Sequence, residues 1–236
     1  MTGRGMRRTD RLAIRDPRAE AVLLGAWTLE SSAAQDDAAQ AALTAMRPTH
    51  GLLRYSVFCG VDDLTLLHVS QWTDGPARDV YLADSSRPRI TVDTAVPDIR
   101  RDWREPATRS GSTVIDETLD ATCLVAIRQP LERPDPHVQQ AWIDRIITAL
   151  GSDSTPQPGL RAATFFASSD GAMVFNLAEW TDADAHRAAL EPTGMCGRES
   201  LGDSAEWRAA HALPGIRAEH DVRRYTLVGA VEPDRG

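Results

Sequence analysis

The chain has 236 residues, 42% of them hydrophobic, which is long enough and apolar enough to bury a sizeable core as one large domain or two small ones. With 26 basic against 34 acidic side chains its formal charge is −8. That balance opposes a nucleic-acid or anionic-membrane partner, because either would need a basic stripe.

Residues 1–20 carry six arginines and no apolar period, and read as a mobile basic arm. Residues 21–29 form an apolar run of strand length. Ser31-Ser32 then offers a helix N-cap before the alanine-rich segment 33–46, which Pro48 stops. Residues 52–60 and 64–72 read as a hairpin turned at Val61-Asp62-Asp63, and Thr73-Asp74 caps a second helix to about Ala83. Across residues 85–117 the apolar density falls and Pro88, Pro97 and Pro106 interrupt it, so loop is expected with one strand near 112–117. A strand at 121–128, a turn at 130–136 and a helix at 138–150 follow. After a loop at 151–158, strands at 160–167 and 172–180 pair, Thr181-Asp182 caps a helix to Leu190, and a loop with Pro192, Gly194 and Gly197 precedes a last strand at 223–231.

The second half repeats the first. Gly51-Leu52 to Trp72-Thr73-Asp74 aligns without a gap on Gly159-Leu160 to Trp180-Thr181-Asp182 at a constant offset of 108 residues. Phe58 meets Phe166, Asp62 meets Asp170, Ala77 meets Ala185 and Leu82 meets Leu190. Each half then reads β-α-β-β-α-β, the ferredoxin-like unit. The expected fold is α+β, with tandem ferredoxin-like repeats at 21–118 and 119–236 forming a pseudo-dimeric α/β barrel. Helices cover one face of each sheet, so the two bare faces are expected to enclose a ligand cavity between them.

Strand alternation selects the side chains that would line it. On the last hairpin, Val174, Asn176, Ala178 and Trp180 share one face, and Met173, Phe175 and Leu177 share the other, which suits the helices. The matching row in the first half is Leu66, His68, Ser70 and Trp72. Val174, Ala178, Leu66, Ser70 and Tyr55 are the expected substrate contacts. Asn176, Trp180, His68, Trp72 and His186 are the expected catalytic groups.

The sequence of Gly159-Leu160, Asn176-Leu-Ala-Glu-Trp180 and the Thr181-Asp182 cap resembles the antibiotic biosynthesis monooxygenase family of dimeric α/β-barrels, over most of residues 20–231 as two fused copies. The resemblance implies an oxygenase tailoring aromatic polyketides, similar to anthrone monooxygenases, with Asn and Trp holding a phenolic substrate. Fused copies of this size also resemble oxygenases that open or contract the B ring of angucyclines. It further implies no tightly bound cofactor and no metal, with reduced FMN or FAD as a diffusible co-substrate and a flavin reductase as partner. Two departures stand out: His68 replaces the Asn of the second half, and His186 and Arg78 stand where the family places an aromatic hydroxyl.

Such chemistry needs a donor for a developing oxyanion, here Asn176, and a base that titrates near neutrality, for which His68 or His186 is the natural choice. Apolar walls including Trp72 and Trp180 must exclude water. Trp103 and Trp207, in the long loops, would lid the cavity or pack on helices, and Arg128 with Arg161 would meet an acidic ligand. Two other readings fit the same chain: a polyketide cyclase or isomerase, and a ligand-binding scaffold without catalysis. No phosphate-binding glycine loop, nucleophile elbow or His-x-x-x-His pair occurs. Cys59, Cys123 and Cys196 are too irregular for a disulfide or zinc framework, which together with the lack of an apolar leader suggests a cytoplasmic monomer or homodimer.

Overall fold

A computed structural model describes residues 5–84, 86–152, 157–190 and 205–234. The expected loop around Pro192, Gly194 and Gly197 lies outside them. The chain divides into two compact units, one formed by residues up to Thr108 together with those from Tyr225 onward, the other by Arg109–Arg224.

In the first unit the core order is β2 (Ala21–Thr28), α1 (Ser32–Ala45), β3 (Leu52–Gly60), β4 (Thr65–Trp72), α2 (Gly75–Ala83) and β5 (Arg100–Val114, to Thr108 in this unit). A further helix, α3 (Ser86–Ala95), precedes β5. The strands lie in the ferredoxin-like order β3-β4-β2-β5, all antiparallel. The Ser31 hydroxyl caps α1 by accepting from the Ala34 amide at 3.2 Å, and Asp74 caps α2 through the Ala77 amide at 2.8 Å. Asp62 closes the hairpin by accepting from the Leu64 and Thr65 amides.

The second unit repeats that plan with β6 (Cys123–Pro130), α4 (Pro136–Ser152), β7 (Leu160–Ser168), β8 (Met173–Trp180), α5 (Ala183–Leu190), α6 (Ala205–His211) and the start of β9 (Asp221–Pro233). Local geometry is duplicated to the single residue. Gly51 and Gly159 have φ of 76° and 86°, and their carbonyls accept from Thr73 and Thr181 at 2.9 and 2.8 Å. The pairing slips once after Leu52 and once after Leu160, 108 residues apart. Gln35 of α1 donates to the Thr65 carbonyl, and Gln139 of α4 donates to its counterpart on Met173.

Three expectations need correction. The N-terminal segment is no loose arm: β1 (Met6–Thr9) pairs with β9, Leu12 and Ile14 are buried, and Gln71 donates to the Ile14 carbonyl at 2.7 Å. Residues 85–117 hold a helix and a 15-residue strand rather than mostly loop. The unit boundaries also depart from 21–118 and 119–236, because Tyr225–Val231 of β9 pairs with β3 of the first unit.

The face assignment inverts as well. Val174, Ala178 and Trp180 pack in one core with Trp142, Ile143 and Ile146 of α4, while Leu66 and Trp72 pack with Ala38, Ala39 and Ala42 of α1. The amide-and-indole rows therefore look at the helices. Phe166, Phe175 and Leu177 occupy the opposite face of their sheet and are equally buried. Both faces of β8 are inside, so neither is marked by polarity.

Candidate functional site

A cavity of about 300 Å³ lies within the first unit, on the helix side of its sheet. Small side chains on α1 leave the space. Ala42, Ala45 and Met46 line it, whereas the corresponding positions of α4 carry Ile146, Ala149 and Leu150, preceded by Trp142 and Ile143. Alanines at core positions fill less volume than the space between sheet and helix, and a hollow results.

The floor is formed by β3 and β4. His68, Ser70 and Tyr55 reach it, three residues that the sequence placed at the site. His68 lies opposite Gly25 on β2, and the imidazole sits so close that a Cβ at Gly25 would fall 2.3 Å from Nε2. The ring packs against Trp27 at 4.8 Å between centroids and Tyr55 at 6.0 Å. In the second unit Ile127 faces Asn176 at the same register, so a large side chain beside a small one is exchanged for the reverse.

Burial, reinforced by the charges of Arg104 and Arg101, pushes the His68 imidazole down to about 3. His68 is therefore neutral at physiological pH and a poor base. Burial likewise raises the Tyr55 phenol, which stays protonated as a donor. The indole N–H of Trp72 donates to Ser70 Oγ at 2.9 Å, and its ring packs against Tyr81 in a tilted pair with centroids 5.0 Å apart. Tyr81, on α2 nine residues after the tryptophan, brings to the cavity an aromatic hydroxyl that no sequence motif marks. Arg78 donates to the Ala107 carbonyl at 2.9 Å.

The mouth belongs to β5 and α3. Trp103, expected in a loop, is a strand residue lining the cavity, beside Arg101 and Arg104, with Arg89 and Val92 of α3 across from them. Arg101 is fixed twice, by Asp93 and by stacking 5.5 Å above the Trp27 ring. Arginines on an alternating, half-exposed strand look like ordinary solvated charge in a sequence, and nothing there marked them.

In the second unit Asn176 and Trp180 are 5% and 1% exposed. Asn176 Oδ1 and Trp180 Nε1 have no hydrogen-bond partner among the described residues. The reason for the indole is local: Ala178 stands where Ser70 serves Trp72. His186 meets Trp180 edge-on at 4.9 Å, accepts from Arg224 Nε at Nδ1 at 2.9 Å, and is pushed down to about 4 by burial, then by Arg224 and Arg187. It too is neutral. Val174 and Ala178 are core residues there, and Leu66 is a core residue in the first unit. Trp207 lies in α6, buried, and Arg161 pairs with buried Glu179. No cluster of three metal-ligating side chains occurs among the described residues, and no described helix is long and apolar enough to cross a membrane.

Fold and site together place the chain among α+β proteins built on the ferredoxin-like plan. A structure described as an anthrone oxidase-like protein matches at a TM-score of 0.69, with 16% identity, over 93% of this chain and 94% of its own. A candidate monooxygenase from Lactobacillus acidophilus NCFM matches at 0.53 with 11% identity over 89% and 94%, and another from Fusobacterium nucleatum at 0.53 with 10% identity over 92% and 96%. These likenesses show a shared fold over nearly the whole chain, in agreement with the resemblance read from the sequence. No protein-family model and no curated protein matches.

Proposed function

We propose that the protein is a monooxygenase acting on a polycyclic aromatic phenol, an oxidoreductase of aromatic polyketide tailoring. The observation that supports this is the first-unit cavity: aromatic walls, a neutral imidazole and a phenol at its floor, and arginines at its mouth. A volume of about 300 Å³ is at the small end of ligand pockets, suited to one planar ring system. At about 300 Å³ the hollow is too small to hold a flavin beside a planar ring system, so its lining does not fit a resident flavin. Reduced flavin enters the proposal only as a diffusible co-substrate supplied by a partner reductase.

With both histidines neutral, deprotonation falls to the cavity's charge rather than to a base. Cations near a bound phenol lower its pKa, so it ionises to an electron-rich anion whose proton passes to solvent. The imidazole and Tyr55 hydroxyl then hold the oxyanion by hydrogen bonds in a site screened from water. For a doubly benzylic CH₂, reaction with O₂ leaves one oxygen as a ring carbonyl and releases the other in water, the substrate providing the electrons.

A second placement has its own support. Asn176 Oδ1 is an acceptor and Trp180 Nε1 a donor, both buried and without partners among the described residues. A hydroxyl and carbonyl on one ligand would satisfy both. Oxygen uptake with an anthrone, with and without reduced flavin, tests the reading. Uptake lost in Tyr55→Phe and His68→Asn assigns the chemistry to the first unit, and uptake lost in Asn176→Ala and Trp180→Phe assigns it to the second. Turnover without oxygen favours the cyclase, and binding without turnover the scaffold.

A further inference from the structure

The first-unit cavity is not a worn copy of its counterpart. Trp27, Tyr55 and Tyr81 line it where the second unit has Gln129, Ala163 and Ala189 at the matching positions. Its side chains run in an order of polarity. Ser70, Tyr55 and His68 at the floor are 1%, 6% and 7% exposed and uncharged, whereas Arg101 and Arg104 occupy the solvent side. No carboxylate lines it, although the chain as a whole carries −8. Asp93 offsets part of the charge of Arg101 and Arg89, with which it pairs, but it lies outside the lining. A cationic rim around a low-dielectric hollow focuses field on one class of ligand.

We propose that this cavity selects aromatic acids: planar fused-ring compounds that seat their rings against the aromatic walls of Trp27, Tyr55 and Tyr81 and present a carboxylate to Arg101 and Arg104 at the mouth. The assignment rests on the proposed function, whose substrate it narrows, and the binding itself is independent of turnover. The Arg101 guanidinium, held over the Trp27 ring, suits a planar carboxylate, since the fork presents two donors in one plane. The exchange of Gly25 and His68 for Ile127 and Asn176 between the units shows the floor to be fitted around the imidazole. A neutral hydrogen-bonding floor with a charged mouth imposes an orientation, acid outward and phenolic or quinone oxygen inward.

The test is calorimetric binding of 9,10-anthraquinone-2-carboxylate beside its neutral carboxamide, on the full chain. The acid is expected to bind at least about tenfold tighter, a difference of about 1.4 kcal/mol. Raising salt from about 0.05 to about 0.5 M should weaken the acid and spare the amide. Arg104→Gln should erase the preference and Arg104→Lys keep part of it, while Arg133→Gln, at an exposed arginine outside the cavity, should leave it unchanged. Equal affinity for acid and amide, both lost in Tyr55→Ala, overturns the acid selectivity and leaves the cavity reading standing. Failure of both compounds to bind overturns both. A preference that survives Arg104→Gln also overturns the proposal.

Discussion

The indole of Trp72 donates to Ser70, while the indole of Trp180, with Ala178 in the equivalent place, has no partner among the described residues. A buried N–H left alone costs about 1–3 kcal/mol, and a net hydrogen bond returns about 0.5–1.5 kcal/mol. Ser70→Ala should therefore destabilise the protein by about 1–3 kcal/mol in urea denaturation, and Ala178→Ser should stabilise it by about 0.5–1.5 kcal/mol. If Trp180 serves a ligand, Ala178→Ser will also weaken binding there, because the new hydroxyl competes for the donor. A gain in stability with unchanged activity would remove Trp180 from the chemistry. Gly25 and His68 form a second such pair. Gly25→Ala places a methyl group against the imidazole, which is held between Trp27 and Tyr55 and has little room to move. Overpacking of this kind costs about 1–3 kcal/mol, and the smaller His68→Asn should recover much of it. A double-mutant cycle read by urea midpoints should show coupling of at least about 0.5 kcal/mol, and additivity would show the contact to be slack.

At the scale of elements, α1 and α4 share a place in their units and differ in bulk. Ala42 in α1 lines the cavity, and Ile146 fills the matching position of α4. Ala42→Leu should fill the hollow, change stability by less than about 1.5 kcal/mol, and abolish binding of anthraquinone acids, measured by calorimetry. Unchanged binding would place the ligand elsewhere. Much of this scaffold was legible in the sequence: the caps at Ser31, Asp74 and Asp182, both hairpins and the 108-residue offset all rest on local chemistry. The phase of the β4 and β8 rows was not, because the alternation rule needs one face wet, and these strands are buried on both. The strand expected near 112–117 catches only the end of β5, because Arg100 to Arg109 is dense in charge, contains Pro106 and has no apolar run. β1 is held by backbone pairing, to which arginine side chains are indifferent. His68 and Ser70 share one face of β4 whichever way that face looks, so both line the cavity although the row turns toward the helices. The arginines at the cavity mouth came together only through tertiary structure.

For the molecule as a whole, the buried histidines link folding to protons. Released on unfolding, His68 and His186 return toward 6.5, whereas the folded chain holds them at about 3 and about 4. Between about pH 6.5 and pH 4 the unfolded chain thus binds protons that the folded chain refuses, and stability must fall as pH falls through that window. Their contribution is complete above about 6.5. Overall charge acts in the opposite sense: the chain is acidic, with an isoelectric point near 5.2, so self-repulsion relaxes on approach to that pH. The carboxylates of Asp74, Asp116 and Asp170, each held below its ordinary 3.8 by hydrogen bonds to nearby donors, lose their contribution only at lower pH. A urea midpoint that drops between about pH 7 and pH 4.5 therefore reports the imidazoles, and His68→Asn should flatten the drop while leaving its acid end in place. The same neutrality governs catalysis. With His68 and His186 both held well below 6.5, the rate of oxygen uptake should follow the ionisation of the substrate's phenol rather than that of either imidazole, rising smoothly with pH. A limb near 6.5 that disappears in His68→Asn would restore that imidazole as the base and displace the charge-driven ionisation derived from Arg101 and Arg104.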